Sequence, residues 1–540
     1  MKAKCENHLY YGDNLTIMQR MPKHCVDLIY LDPPFNSKQN YNLIYKNMTG
    51  LPVPDQAEAF CDTWEMDPEK EEIAKTMPIL MREYGIENYY VEFWRLWIQA
   101  LRHTQPHLLA YLIYMVQRLL HMKTLLRPTG SIWLHCDSTA SHYIKVMMDG
   151  IFGHKHFQNE VIWKRADTVK GNAGQGAKGF GRNTDTLLFY SATDAFTFHP
   201  QFTEYSGEYL AKSYKYKEPD GRRYRLISMI GPGGAAKGNP YYEVMGVSRC
   251  WRYSKKRMQE LIDQGMVVQT KPGTVPSRKQ YLDQGKGVPV QSLWDDISAL
   301  GAGSGERLGY PTQKPVALVR RIIEACSNPG DVVFDPFCGC GTSIYAAQQT
   351  NRRWIGCDIA ILSIKLVREI LTGEKYRLVE GVHFDVDGIP VSVEQAQELF
   401  KRDPFQFEHW IVERVGGFPT KKTGDQGIDG RMYFQTQHGL KAMVLSVKGG
   451  KLRPTDVRDL VGVLEHEPET EMAGFLSLQE PTKAMRDAGA KAGQYIYEGV
   501  KYDRVQFLTV KDILEDKREF RTPTKLRSRV SSPQASLALT

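Results

Sequence analysis

Short apolar runs and polar turns alternate at both ends of the first 376 residues, and a polar, glycine-rich stretch separates them. Val26-Asp-Leu-Ile-Tyr-Leu31 is apolar and rich in β-formers, and two prolines stop it, which predicts a buried parallel strand. Tyr90 to Leu125 is long, apolar and aromatic with few breakers, which predicts helices. Pro128-Thr-Gly130 turns the chain into a second predicted strand, Ser131 to Asp137, and Ser141 to Met148 reads as a helix. Further on, Pro315 to Ser327 has the spacing of an amphipathic helix, closed by Asn328-Pro-Gly330. Asp331 to Asp335 then predicts a strand, Thr342 to Gln349 a helix and Trp354 to Asp358 another strand, which together make one βαβ unit.

Between about Arg165 and Gly309 the texture changes. Glycine and proline are frequent, and aromatic residues interleave with Lys and Arg, as in Arg249-Cys-Trp-Arg-Tyr-Ser-Lys-Lys-Arg257. A DNA-contacting insert and an irregular surface elaboration both fit this texture. After about Tyr376 a smaller α/β region runs to about Leu514. From Lys517 apolar residues are sparse, so a disordered tail is expected. There is no internal repeat.

With 540 residues, the chain is long enough for three to four domains at about 150 residues each. Its 42% hydrophobic and 24% charged residues exclude a fibrous or wholly disordered chain. The 70 basic and 62 acidic residues leave a net charge of +8, which permits a nucleic-acid partner without demanding one. Nine scattered Cys without a CxxC pair fit a reducing compartment and argue against a disulfide scaffold or zinc site. The start, Met1-Lys-Ala-Lys-Cys-Glu-Asn-His8, lacks the apolar core of a signal peptide. The most apolar run, Leu108 to Val116, is far shorter than the ~20 residues of a membrane span. A cytoplasmic protein without a membrane partner is therefore expected.

Two turns carry candidate chemistry. Phe334-Asp335-Pro336-Phe337-Cys338-Gly339-Cys340-Gly341-Thr342 joins a strand to a helix, and its glycines let backbone approach a ligand. Asp358 ends the next strand 19 residues after Gly339, the spacing at which a carboxylate accepts from ribose hydroxyls. The third glycine of a dinucleotide turn is missing, which disfavours a dinucleotide. The other turn, Asp32-Pro33-Pro34-Phe35, ends the first strand, and its prolines stiffen the backbone. The Asp32 carboxylate and the Pro33 carbonyl can then face one point. Two acceptors on the N–H groups of an exocyclic base amine would favour a nitrogen with an available lone pair. Phe35 offers a stacking face for an extruded base.

These residues resemble the β group of amino-methylating DNA methyltransferases. Asp32-Pro-Pro-Phe35 resembles the catalytic motif, Phe334 to Thr342 the S-adenosylmethionine motif, and Tyr310-Pro-Thr-Gln-Lys-Pro315 the segment before it. Tyr11-Gly-Asp13-Asn14 and Leu134-His-Cys-Asp137 through Asn159-Glu160 also match. Catalytic motif first and cofactor motif last, with a long insert between, is the permuted order of that group. The resemblance covers about residues 8–375. It implies that Asp335, Pro336, Phe337, Gly339, Gly341 and Thr342 cradle the methionine part of the cofactor. Asp358 would take the ribose and Asp13 the adenine amine, with Thr312 and Lys314 near the methionine carboxylate. Asp32, Pro33, Pro34 and Phe35 would be catalytic. Asp at the first catalytic position favours adenine N6 within the family, and Ser favours cytosine N4.

In the C-terminal region, Gly424-Asp-Gln-Gly-Ile-Asp429 and the strand Ala442 to Lys448 resemble the Mrr-type restriction endonuclease domain of the PD-(D/E)xK fold, over about residues 400–512. That resemblance implies a nuclease site of Asp429 and Lys448, with Asp429 as a Mg²⁺ ligand and an upstream acid at Glu408 or Glu413. Ser446 stands where the family has Glu, Asp or Gln, and a neutral hydroxyl is a weaker Mg²⁺ ligand.

The fold expected is therefore α/β: a Rossmann-like S-adenosylmethionine-dependent methyltransferase domain of permuted motif order, plus a smaller PD-(D/E)xK-like domain. The expected boundaries are 1–164 for the catalytic half, 165–309 for a target-recognition insert and 310–376 for the cofactor half. The endonuclease-like domain would span 400–514, and a disordered basic tail 515–540. The implied activity is methylation of adenine N6 in double-stranded DNA, in a restriction–modification or defence role in bacteria, archaea or phage. A second copy of the chain as partner stays open. The alternatives are a cytosine-N4 enzyme with an inactive nuclease-like DNA-binding domain and, against the permuted order and the insert, an RNA or protein methyltransferase.

Overall fold

The computed structural model describes residues 6–34, 40–43, 57–61, 64–167, 180–301, 303–308, 310, 312–420, 427–437, 439–467 and 469–523. Phe35 and the segment 424–426 of the two motif regions lie outside these residues.

Nine strands form the principal sheet, in the order Leu293–Trp294, Phe157–Lys164, Thr184–Ser191, Leu126–Cys136, Val26–Leu31, Val332–Asp335, Arg353–Asp358, His8–Tyr11 and Asp385–Asp387. All share one direction except Thr184–Ser191. Every residue of Val26–Leu31 is buried, as a central parallel strand requires. The one charge in it, Asp27, is compensated. It pairs with Arg127 at 3.0 Å and accepts the Val332 N–H at 2.8 Å, so it ties two neighbouring strands together.

Helices Asn88–Thr104, Pro106–Leu125 and Ser141–Phe152 cover one face, packing Leu109, Leu112 and Val116 into one core with Ile29, Leu31, Phe334 and Ile355. Helices Val316–Cys326, Thr342–Gln349 and Ile361–Thr372 pack on the other, where the alternating residues Leu28 and Val333 point. The middle of the sheet places the site. Val26–Leu31 pairs directly with Val332–Asp335, with Ile29 opposite Phe334. The chain leaves the first strand towards Leu126–Cys136 and the second towards Arg353–Asp358. The connections diverge, and a crevice opens at the carboxyl ends of both strands.

Residues 200–291 form a separate compact unit. It holds a four-stranded sheet of Val267–Val268, Ser277–Tyr281, Arg223–Ser228 and Tyr216–Lys217, and its own core of Met229, Tyr242, Trp251, Met258 and Leu261. The insert is thus narrower than the expected 165–309. Thr184–Ser191 is an interior strand of the principal sheet, buried from Asp185 onward, and Leu293–Trp294 is its edge. The glycine-rich stretch before it concealed this strand in the sequence.

The C-terminal region has a five-stranded sheet: Phe418–Pro419, Gly430–Thr436, Gly439–Lys448, Thr470–Ser477 and Val505–Thr509. Its first three strands are antiparallel and its last three parallel. Helix Pro454–His466 contributes Val457, Leu460 and Leu464 to its core. Helix Pro404–Arg414 buries Phe407, Trp410 and Ile411. The expected tail does not start at 515: Phe520 is buried over Gly474, where a Cβ would meet its ring at 2.7 Å.

Candidate active site

The two motif turns meet in one cavity of about 710 Å³, a size suited to a nucleotide-sized ligand. Asp32, Pro34, Thr312, Lys314, Asp335, Pro336, Phe337, Gly339, Thr342, Asp358 and Asp13 all line it.

The floor is the turn after Val332–Asp335. Gly341 sits at φ +86°, and a Cβ there would lie 2.7 Å from Val367, so only glycine fits. The Gly339 amide donates to Asp358 Oδ2 at 2.9 Å, and the Ala360 amide to Oδ1 at 2.8 Å. These bonds fix the Asp358 carboxylate at the mouth of the turn. Burial still pushes its pKa up to about 6. Asp335 lies deeper and accepts from the Phe337 amide at 2.9 Å and the Ser343 hydroxyl at 2.5 Å. Burial, joined by the charges of Asp32 and Asp358, raises it to about 7.

The opposite wall comes from the start of the chain. Asp13 caps helix Asn14–Met18 by accepting the Thr16 amide at 3.1 Å. Arg118, from the long helix Pro106–Leu125, reaches Asp13 at 2.5 Å and Asn14 at 2.6 Å. Asn14 in turn donates to the Pro336 carbonyl at 2.8 Å, which locks this wall to the glycine turn.

Asp32 stands at the rim, at the end of its strand. Lys314 Nζ contacts its Oδ2 at 2.5 Å, while Oδ1 is sealed from solvent without a hydrogen-bond partner among the described residues. The sequence assigns Lys314 to a cofactor carboxylate, whereas its ammonium lies on Asp32. Thr312 adopts φ 61° and its carbonyl also accepts from Lys314, at 3.2 Å. Behind the rim, Tyr30 is held by His135 at 3.2 Å, and His135 by Asp185 at 3.1 Å. Asn14, Arg118 and Ser343 escaped sequence reasoning. Their partners lie across other elements, and only the Asn14 position next to Asp13 carried a hint.

The C-terminal candidates assemble differently. Asp429 Oδ2 accepts the Val447 amide at 2.6 Å, and Lys448 Nζ lies 4.0 Å from it. Ser446 is buried on the same strand. Among the described residues no group of three or more His, Cys, Asp or Glu side chains is placed to hold a metal ion. This donor set does not fit Mg²⁺. Glu408 is half-buried on helix Pro404–Arg414. Glu413, offered as the alternative upstream acid, belongs elsewhere: it lines the large cavity, where it feels the charge of Asp358. No described helix is long and apolar enough to cross a membrane.

Residues 26–369 match the DNA methylase family. Among curated proteins, the Type II methyltransferase M.EcaI of Enterobacter cloacae is 31% identical over 261 residues, covering 48% of this chain and 56% of its own. The StyLTI Mod subunit of the type III restriction-modification enzyme of Salmonella typhimurium is 28% identical over 374 residues, covering 64% and 51%. This chain therefore spans about half the length of the curated relatives it matches. Among solved structures, a putative DNA modification methylase from Thermus thermophilus in complex with S-adenosyl-L-methionine aligns over 71% of this chain and 100% of its own, at 15% identity and a TM-score of 0.32.

Proposed function

The chain belongs to the DNA methylase family, and from that premise we propose that it transfers a methyl group from S-adenosylmethionine to adenine N6 in duplex DNA, in a restriction–modification or defence role. One observation carries the reading. Asp32 presents a sealed carboxylate oxygen, without a partner among the described residues, at the end of a strand paired directly with the one that leads into the glycine turn, and both turns line one cavity.

The residues suit the donor. A cavity of about 710 Å³ is large enough, and Asp358 and Asp13 are fixed on its walls as acceptors for a ribose and an amine. When bound, S-adenosylmethionine supplies a methyl group on a positively charged sulfur. Asp335 to Gly341 would seat its methionine part, and Asp358, with a pKa of about 6, would favour its positive charge at neutral pH. Asp32 and the Pro33 carbonyl would accept the N–H groups of the target amine and orient its lone pair, and the Asp32 carboxylate would take up the proton lost as the N–CH₃ bond forms and the S–CH₃ bond breaks. Lys314 would leave Asp32 as the amine arrives. This work is positioning and electrostatics, with no covalent enzyme intermediate.

The test is transfer of labelled methyl from S-adenosylmethionine to duplex DNA, RNA and protein, followed by nucleoside analysis. Label on DNA as N6-methyladenine is expected. Absence of label from DNA sinks the reading, and N4-methylcytosine sinks only the choice of base.

For the C-terminal domain we infer DNA binding without cleavage. The neutral Ser446 and the internally bonded Asp429 support this.

A further inference from the structure

The cavity has a wall that the methyltransferase sheet does not supply. Phe405, Gln406, His409 and Glu413 project into it from helix Pro404–Arg414, which packs on the strands Phe418–Pro419 and Gly439–Lys448 of the C-terminal sheet. These residues follow the spacing of one helix face, and they meet the cavity at Gly12, Asp13, Asp358 and Ile359. That is the end at which the proposed roles put the ribose and the adenine.

Three features make this wall a built surface. Gln406 is 3% exposed, yet its Nε2 has no hydrogen-bond acceptor of ordinary geometry among the described residues, with the Tyr11 hydroxyl as its neighbour. Its amide lies so close to Gly12 that a Cβ there, at φ +144°, would be 3.0 Å from Nε2. A buried amide whose neighbour, the Tyr11 hydroxyl, is poorly aligned with it is costly unless something completes it. Next, Phe405 and His409 pack with centroids 4.2 Å apart, and Ile359, a large apolar residue left 50% exposed, lines the same end. A flat ring fits such surfaces. Last, the Glu413 residue is half-buried: the Ile361 amide hydrogen-bonds its carboxyl, Asp358 lies near, and its Oε2 is sealed with no partner of ordinary geometry among the described residues. Burial raises this carboxyl to about 8, which makes it a hydrogen-bond donor as well as an acceptor at neutral pH.

We infer that the C-terminal domain, through Phe405, Gln406 and Glu413, forms the adenosyl-facing wall of the donor pocket, so that donor binding and docking of that domain are coupled. The inference rests on the donor assignment made under Proposed function. It gives the domain a use that needs no metal: it completes the pocket. By linkage, a ligand that contacts both the sheet and the helix stabilises their union, and loss of either contact weakens the ligand.

The test uses the full chain, with calorimetric titration of S-adenosylhomocysteine and of 5′-methylthioadenosine, which carries only the adenosyl end. Phe405→Ala and Gln406→Leu should each weaken both ligands by about ten-fold, with matching factors. Wild type serves in a second measurement that does not depend on how the variants fold. At about a hundred-fold excess of S-adenosylhomocysteine over its Kd, amide exchange that requires 404–414 to detach should slow about a hundred-fold. Unchanged affinities with unchanged exchange overturn the inference alone, as does a loss confined to S-adenosylhomocysteine. Tighter binding by the variants would mean that the helix blocks the pocket, and overturns it too. Wild type that binds neither ligand overturns the donor assignment and this inference together.

Discussion

Asp32 and Asp429 are both motif aspartates of α/β sheets, and the structure treats them in opposite ways. Asp32 keeps one oxygen sealed and without a partner among the described residues, and it lines a cavity with Asp13, Glu65, Asp67, Asp335, Asp358 and Glu413. Asp429 spends an oxygen on the Val447 amide of its own sheet, and the buried residue next to Val447 on that strand, Ser446, is neutral. A carboxylate that the fold leaves incomplete is available for chemistry. One that the fold satisfies is serving structure. The motif alone does not distinguish them, because the difference lies in what each oxygen touches.

The comparison can be broken at several points. The largest effect is expected at Asp32. Asp32→Asn should lower methyl transfer at least about 10³-fold while leaving the S-adenosylhomocysteine Kd within about three-fold. Strong residual turnover would mean that the acceptor has been misassigned. Asp358→Ala should weaken S-adenosylhomocysteine by about 10- to 100-fold in titration, the loss of one charge-assisted pair of contacts. An unchanged Kd would remove Asp358 from the pocket.

The contrast sharpens at Asp429, where substitution by Ala should destabilise the fold by about 1–3 kcal/mol in denaturant titration. Wild type should not nick plasmid DNA in Mg²⁺, methylated or bare. Nicking that Asp429→Ala and Lys448→Ala abolish would make the two regions alike.

The smallest effect is a pH slope. Asp358, Asp335 and Glu413, at about 6, 7 and 8, hold protons in the fold that the unfolded chain releases near its ordinary carboxylate values of about 4. The folded state therefore binds more protons, and stability falls as pH rises from about 4 to 8. The unfolding midpoint should drop over that range. Glu413→Gln, which cannot ionise, should recover roughly 2–5 °C at pH 8. A midpoint that rises with pH would contradict this set of buried acids.

Much of the frame was legible because local pattern dictated it. The helix predicted at Thr342 to Gln349 is observed with those limits, and Trp354 to Asp358 differs by one residue. The strand predicted from Ser131 starts earlier, at Leu126, because the Pro128-Thr-Gly130 stretch stays extended at its outer end. Thr184–Ser191 was missed after the glycine-rich stretch that precedes it. In the site, the motif positions Asp32, Asp335 and Asp358 could be read directly. Arg118 could not, since it reads as a break in an apolar run and finds Asp13 only once the helix is docked. Glu413 was visible as an acid and given to the wrong partner, because sequence proximity to Asp429 says nothing about which cavity a helix faces.

The pairing of Asp27 with the Val332 amide joins positions 305 residues apart. At ribosomal speeds of about 5–20 residues per second, the strand that ends before Asp32 waits roughly 15–60 s for its neighbour to be made. Throughout that interval its flank is a bare apolar ribbon, open to mispairing, while the intervening unit with its own nucleus can condense. Delayed closure of this kind makes the nascent chain a natural client for chaperones.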